Sequence, residues 1–278
     1  MMLKKLSVLQ LTILGTACLF ISIMFLAYKD ISTSREVLSS AERDIKLVTL
    51  IAAVERVAHH HAVERGLTAG FLGNPSDTSR SKVLNQRKKA DAAMDKITSI
   101  VAEDWKEASS VEKILSPVFS LVKNKSEIRK EVDDLNGKNA FSFYSNLNKR
   151  ALNTTNALTM LVNAPEAKQV LSQALLFAQA KEKMGQRRGK VNAVLAASAI
   201  LDPVRQQVFT SNQVNQIVRE ITSDNPAFSS LPTNSEWFSL ASEQIGGIAA
   251  LLSERFDYVV SIVNTKASSA NTNLVVTF

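Results

Sequence analysis

Two arginines occupy positions where helical spacing asks for a core residue. Around Val63–Leu72 the apolar stripe runs Leu47, Ile51, Val54, Ala58, Ala62, Ala69 and Leu72, and Arg65 falls on it. Around Gln186–Leu195 the stripe runs Val170, Ala174, Phe177, Met184, Val191 and Leu195, and Arg188 falls on that one. A guanidinium does not give up its proton, and burying one unpaired costs several kcal/mol. Two solutions are open. Either a carboxylate of the chain, such as Asp91 or Asp133, neutralises the charge, or the site takes a small anion from outside.

Other residues invite chemistry and decline it. His59, His60 and His61 are consecutive, so on a helix they point about 100° apart and cannot meet on one ion. The sequence has no further histidine and a single cysteine, Cys18, so no metal site and no internal disulfide is expected. A phosphate-binding glycine loop, a nucleophile elbow and paired catalytic carboxylates are all missing from the sequence, so the protein is not read as an enzyme and needs no cofactor. Met160, Met184 and Phe177 read as core filler, Trp105 and Trp237 as packing anchors, and Lys181 and Lys190 as exposed charges.

The elements that must hold the arginines are helices. Nine Gly and six Pro in 278 residues leave long uninterrupted amphipathic stretches. These run from about Ser34 to Gly73, Thr78 to Val101, Ser109 to Leu135, Asn139 to Asn163, Pro165 to Ile200, Asp202 to Thr222 and Ser235 to Ala267. Asn136-Gly137 is a helix-ending pair, and Pro165 suits a first helical turn. No strand is signalled, and short loops between long helices favour antiparallel bundles. An internal echo lays Arg65-Gly66 on Arg188-Gly189, an offset of 188 − 65 = 123 residues.

Ahead of these helices, Leu6–Tyr28 carries no charge and is flanked by Lys4-Lys5 and Lys29-Asp30. Its length suffices to cross a bilayer as a helix. It is too long and too apolar at its end for a signal peptide, and Gly15-Thr16-Ala17 is a poor lead-in for lipoprotein cleavage at Cys18. The leading lysines favour a cytoplasmic N-terminus and an extracytoplasmic remainder, in the inner membrane of a bacterium. The net charge of +7 is spread thinly, without a basic-aromatic face for nucleic acid.

In series, several short motifs resemble the nitrate- and nitrite-sensing family. They are Glu64-Arg65-Gly66-Leu67-Thr68-Ala69; Asn85-Gln86-Arg87 with Asp91; Ile128-Arg129 with Val132-Asp133 and then Tyr144; Lys181-Glu182 with Gly185, Arg187 and Arg188; and Glu236-Trp237-Phe238. The resemblance covers about Asp44 to Val263. It departs at Arg187, where the family pattern has Glu, and this leaves open whether Arg187 or Arg188 faces a ligand.

The resemblance implies an all-α sensor in which an N-terminal transmembrane helix precedes two packed antiparallel four-helix-type bundles. Residues 1–30 form the cytoplasmic N-terminus and membrane helix, 31–270 the extracytoplasmic sensory region, and 271–278 the possible opening of a second crossing. Nitrate or nitrite is the expected ligand, with Arg65 and Arg188 as its first contacts, then Arg187 and Arg87. A homodimer is expected, as is an output module of methyl-accepting, cyclase or kinase type, expected to lie outside this chain. The physical case is direct: a planar monovalent anion accepts parallel N–H bonds from a guanidinium fork. A sensor of another small ligand or partner protein, and a purely structural anchored bundle, remain the alternatives.

Overall fold

The computed structural model describes residues 8–103, 105, 108–199, 217 and 232–276. Every regular element among them is an α-helix: α1 Val8–Gly73, α2 Asp77–Val101, α3 Ala108–Val122, α4 Lys125–Asp133, α5 Ala140–Leu161, α6 Pro165–Ala199 and α7 Asn234–Val276. The sixth expected helix, Asp202 to Thr222, lies almost wholly outside the described residues.

The apolar segment and the first amphipathic helix form one rod. α1 has 66 residues, so at about 1.5 Å per residue it is roughly 100 Å long. Its N-terminal part is long and apolar enough to cross a membrane, and its most apolar window has no buried residue. Leu19, Phe20, Phe25 and Leu26 all project outward. Beyond Ala41 the same rod becomes the centre of the protein, with Leu47, Leu50, Ile51 and Val54 fully buried. It packs against α2, α5, α6 and α7.

Local signals fix where the other helices begin. Ser76 and Ser79 exchange side chain-to-backbone hydrogen bonds as a reciprocal cap on α2, which satisfies first-turn donors that have no intrahelical partner. Asp44, buried on α1, accepts the N–H groups of Asn163 at 2.9 Å and Ala164 at 2.8 Å. It thereby seats the start of α6, whose first residue is Pro165 as expected.

Three expectations are corrected. The helix expected over 109–135 is two, with the break at Lys123-Asn124. Met160 is 56% exposed rather than core filler. Lys181 is buried and paired with Glu55, not solvated; Lys190 is exposed as expected.

Candidate functional site

α1 and α6 cross through small residues. A Cβ on Gly185 would lie 3.7 Å from the Ala62 Cβ, and one on Gly189 would lie 3.5 Å from the Gly66 Cα. This close approach brings Arg65, one position before Gly66, and Arg188, one before Gly189, into a single seam. Both are buried, at 1% and 3% exposure.

Arg65 is neutralised from within the chain. Its Nη1 donates to Glu182 Oε1 at 2.5 Å and its Nη2 to Oε2 at 3.3 Å, a forked pair, and Nη1 also donates to Ser145 Oγ at 3.1 Å. Glu182 additionally accepts from Asn148 Nδ2 and Gln186 Nε2, each at 2.9 Å. The Phe141 ring lies 5.2 Å from the guanidinium carbon. Neither Asp91 nor Asp133 is the partner of Arg65.

Arg188 is held differently. Nη1 donates to Ser242 Oγ on α7 at 2.9 Å, Nη2 reaches the Ala62 carbonyl at 3.4 Å, and the Phe238 ring lies 4.6 Å away. Among the described residues no carboxylate comes within ion-pair distance of it, and its Nε finds no acceptor. Burial, then the nearby charge of Arg65, pulls its pKa down to about 10 despite the opposing field of Glu182. The backbone at this position is fixed by Trp237, fully buried, whose indole N–H donates to the Arg188 carbonyl at 2.9 Å.

Arg188 borders a small cavity lined also by Glu55, His59, Lys181, Glu182, Gly185 and apolar residues; Arg65 does not line it but is tied to it through its pair with Glu182. Across the wider seam, among the described residues, Arg65 pairs with Glu182 and Lys181 with Glu55, which leaves Arg188 as the one cation over. His59 adds no charge: burial, then Lys181, His60 and Arg188, pushes its pKa down to about 3. The cavity leaves room for about one water-sized sphere.

The remaining candidates lie elsewhere. Arg87 pairs with Asp133 at 2.9 Å and lies 3.7 Å from Glu64. Arg129 grips Glu64 through Nε and Nη2 at 2.8 and 2.9 Å and Asp91 through Nη1 at 2.9 Å. Lys125 joins Asp91 at 2.6 Å, and Tyr144 donates its hydroxyl to Glu64 at 2.6 Å. Burial pulls the Arg129 pKa down, but its bonds to Glu64 and Asp91 outweigh that and hold it above the ordinary value. In this second cluster Arg87, Lys125 and Arg129 balance Glu64, Asp91 and Asp133. It is a closed brace joining α1, α2, α4 and α5. Arg187 is partly exposed and does not line the cavity.

The three histidines also diverge. His59 lines the cavity, His60 meets Gln86, and His61 donates from Nδ1 to the Val57 carbonyl at 2.8 Å. Sequence reasoning missed Glu182 as the partner of Arg65, Glu55 as that of Lys181, and Ser145 and Ser242 as arginine acceptors. The echo of 123 residues was the one available signal that the two arginine segments face each other.

No curated protein matches this chain. In shape the chain is similar to a solved structure titled "Structure of the NasR transcription antiterminator", with a TM-score of 0.64 at 16% identity, covering 87% of this chain and 81% of that one. At that identity the likeness speaks for the fold. The family described as "Nitrate and nitrite sensing" matches residues 56–231, which include Arg65, the brace and Arg188. With more than half of its length matched, the chain belongs to the nitrate- and nitrite-sensing family.

Proposed function

We propose that the protein is the sensory region of a membrane receptor for nitrate or nitrite, with the anion held in the seam by Arg188 on α6 and by the free Nε edge of Arg65 on α1. The observation that carries this reading is Arg188: a buried, permanent cation with no carboxylate in reach among the described residues, in a seam with one positive charge in excess. A monovalent anion closes that balance. Arg87 belongs to the brace and Arg187 to the rim, so neither is assigned to the ligand.

Magnitudes set the affinity to expect. Each charge-assisted hydrogen bond contributes roughly 1.5–3 kcal/mol, and three of them gross about 5–9 kcal/mol. Micromolar binding corresponds to about −8 kcal/mol, before the cost of ordering the ligand and the side chains. Binding between micromolar and millimolar is therefore the range expected.

The volume argues for signalling. The cavity has room for about one water-sized sphere, less than an anion of four heavy atoms needs. Its walls must therefore rearrange to admit the anion, and we take that rearrangement to be a shift of α6 and α7 against α1. Ligand and helix movement are then coupled, and the anion selects the shifted population. α1 runs without a break from Arg65 into the apolar N-terminal segment, and α7 runs alongside it. Both rods carry the shift toward the membrane, where a cytoplasmic N-terminus, an extracytoplasmic sensory region and a homodimer complete the proposed receptor.

Calorimetry on the full chain in detergent micelles with nitrate, nitrite, chloride and alanine tests it. Nitrate or nitrite heats that vanish in Arg188→Ala support the reading. Heats that survive in that variant sink it, as does a response to alanine alone or to none of the four.

A further inference from the structure

The seam is nearly symmetric about the α1–α6 crossing. Phe141 and Ser145, four apart on α5, stack on Arg65 and accept from its Nη1. Phe238 and Ser242, four apart on α7, do the same for Arg188. Each arginine precedes a glycine at the crossing, and each keeps an Nε without an acceptor among the described residues. The symmetry breaks at one pair of positions. Glu182 lies six residues before Arg188, and His59 lies six before Arg65 (188 − 182 = 65 − 59). Exchanging the halves carries the Glu182–Arg65 pair onto a His59–Arg188 pair.

We infer that the seam is a quasi-two-fold pair of anion seats in which the Glu182 carboxylate fills the seat on Arg65, so that a single monovalent oxyanion takes the seat on Arg188, where His59 stands in the carboxylate's place. A carboxylate presents two coplanar oxygens to a guanidinium as nitrite or nitrate does, and the forked Glu182–Arg65 bond is that geometry made with an internal group. Glu182 thus sets the charge that the site accepts. His59 faces Lys181, His60 and Arg188 and stays neutral, so it offers Arg188 no counter-charge. The identity of the incoming anion rests on the function proposed above; the division into a filled and an open half does not.

The test compares the full chain with Glu182→Gln and His59→Glu in detergent micelles, by nitrate calorimetry and thermal melting. Glu182→Gln leaves two cations uncompensated in a seam of low dielectric, so nitrate should bind at least roughly ten-fold more tightly than to the wild type. Equal or weaker binding overturns the inference. A wild type silent to both oxyanions defeats the sensing function, yet this inference is still decided by whether Glu182→Gln acquires nitrate binding. Should that variant not fold, His59→Glu decides. It supplies the missing carboxylate, so it should melt higher than the wild type and no longer respond to nitrate. A lower melting temperature refutes the pairing of positions.

Discussion

Gly66 and Phe238 are in contact at a distance that leaves no room for a methyl group: a Cβ on Gly66 would sit 2.8 Å from Cε2 of the ring. The same ring stacks on Arg188, so the size of residue 66 fixes where the arginine's platform lies. Gly66→Ala gains up to about 1 kcal/mol of helix propensity but overpacks the crossing by about 1–3 kcal/mol. With the full propensity gain, a net loss of up to about 2 kcal/mol in urea unfolding is expected, together with weaker nitrate binding as the ring leaves Arg188. A more stable variant with unchanged binding would show that Phe238 swings away freely and plays no part in holding the guanidinium.

The brace and the seam should separate under mutation. Arg87→Ala removes its pairs with Asp133 and Glu64 at a cost of about 1.5–3 kcal/mol. Nitrate affinity should change by less than about three-fold. Arg188→Ala should do the reverse, abolishing nitrate binding at little cost in stability, because it removes a buried cation that no carboxylate among the described residues offsets. Parallel urea titration and calorimetry read both. An Arg87→Ala protein that is stable and blind to nitrate would move the ligand site to the brace.

Tyr144 tests the brace from within. Its hydroxyl donates to the fully buried Glu64, and burial, then the Glu64 charge, holds its pKa above the ordinary phenol value. Tyr144→Phe deletes one donor while Arg129 still grips the carboxylate, so about 1–2 kcal/mol should be lost. Glu64→Gln leaves Arg87, Lys125 and Arg129 facing only Asp91 and Asp133 in a buried cluster and should cost more, about 3–5 kcal/mol. Equal losses in the two variants would mean that the hydroxyl, not the ion pair, carries the brace.

What the sequence disclosed and what it hid follow from one distinction. Helical spacing exposed Arg65 and Arg188 as intruders on apolar stripes, because burial along one helix is a local property. Their partners are not local: Glu182 reaches Arg65 across 117 positions, and only the crossing at Gly66 and Gly189 brings them together. Lys181 was misread for the same reason, since Glu55 is 126 positions away. The break at Lys123-Asn124 escaped because apolar spacing continues through it and no Gly or Pro marks it. Gly137 was read as a helix stop but serves packing, since a Cβ there would lie 2.3 Å from Leu72 Cδ1.

The actual stop at the end of α4 is Leu135, the one non-glycine among the described residues with a positive φ, at 58°. The Asn136 N–H closes back on the Glu131 carbonyl at 2.8 Å, the pattern that places a left-handed residue at a helix end. Leucine pays about 1 kcal/mol or more for that conformation, and its side chain is 54% exposed, so little burial offsets the strain. Leu135→Gly should therefore stabilise the protein by about 0.5–1 kcal/mol, read as a higher urea midpoint at an unchanged slope. A lower midpoint would show that the exposed leucine is covered by something in the folded assembly.

Acid should weaken the fold through its histidines. His59 and His61 have folded pKa values near 3 and 4, both lowered mainly by burial. The unfolded value is about 6.5. Between those limits the unfolded chain binds more protons than the folded one, so stability falls as pH drops from about 6.5 toward 4. Glu64 opposes the shift at His61, while Lys125 and Arg129 reinforce it. Asp91, held below its usual range by hydrogen bonds from Arg129 and Lys125 that outweigh burial, gives a loss of the same sign at lower pH. Urea titrations from pH 8 to 4 on the wild type and on His59→Gln/His61→Gln should show a decline in the first that is shallower in the second. Nitrate affinity should stay level from pH 8 to 6, because His59 is neutral throughout that span. An affinity that climbs on acidification there would mean that His59 takes a proton when the anion binds, and that the uncompensated charge of the seam is not fixed by its arginines.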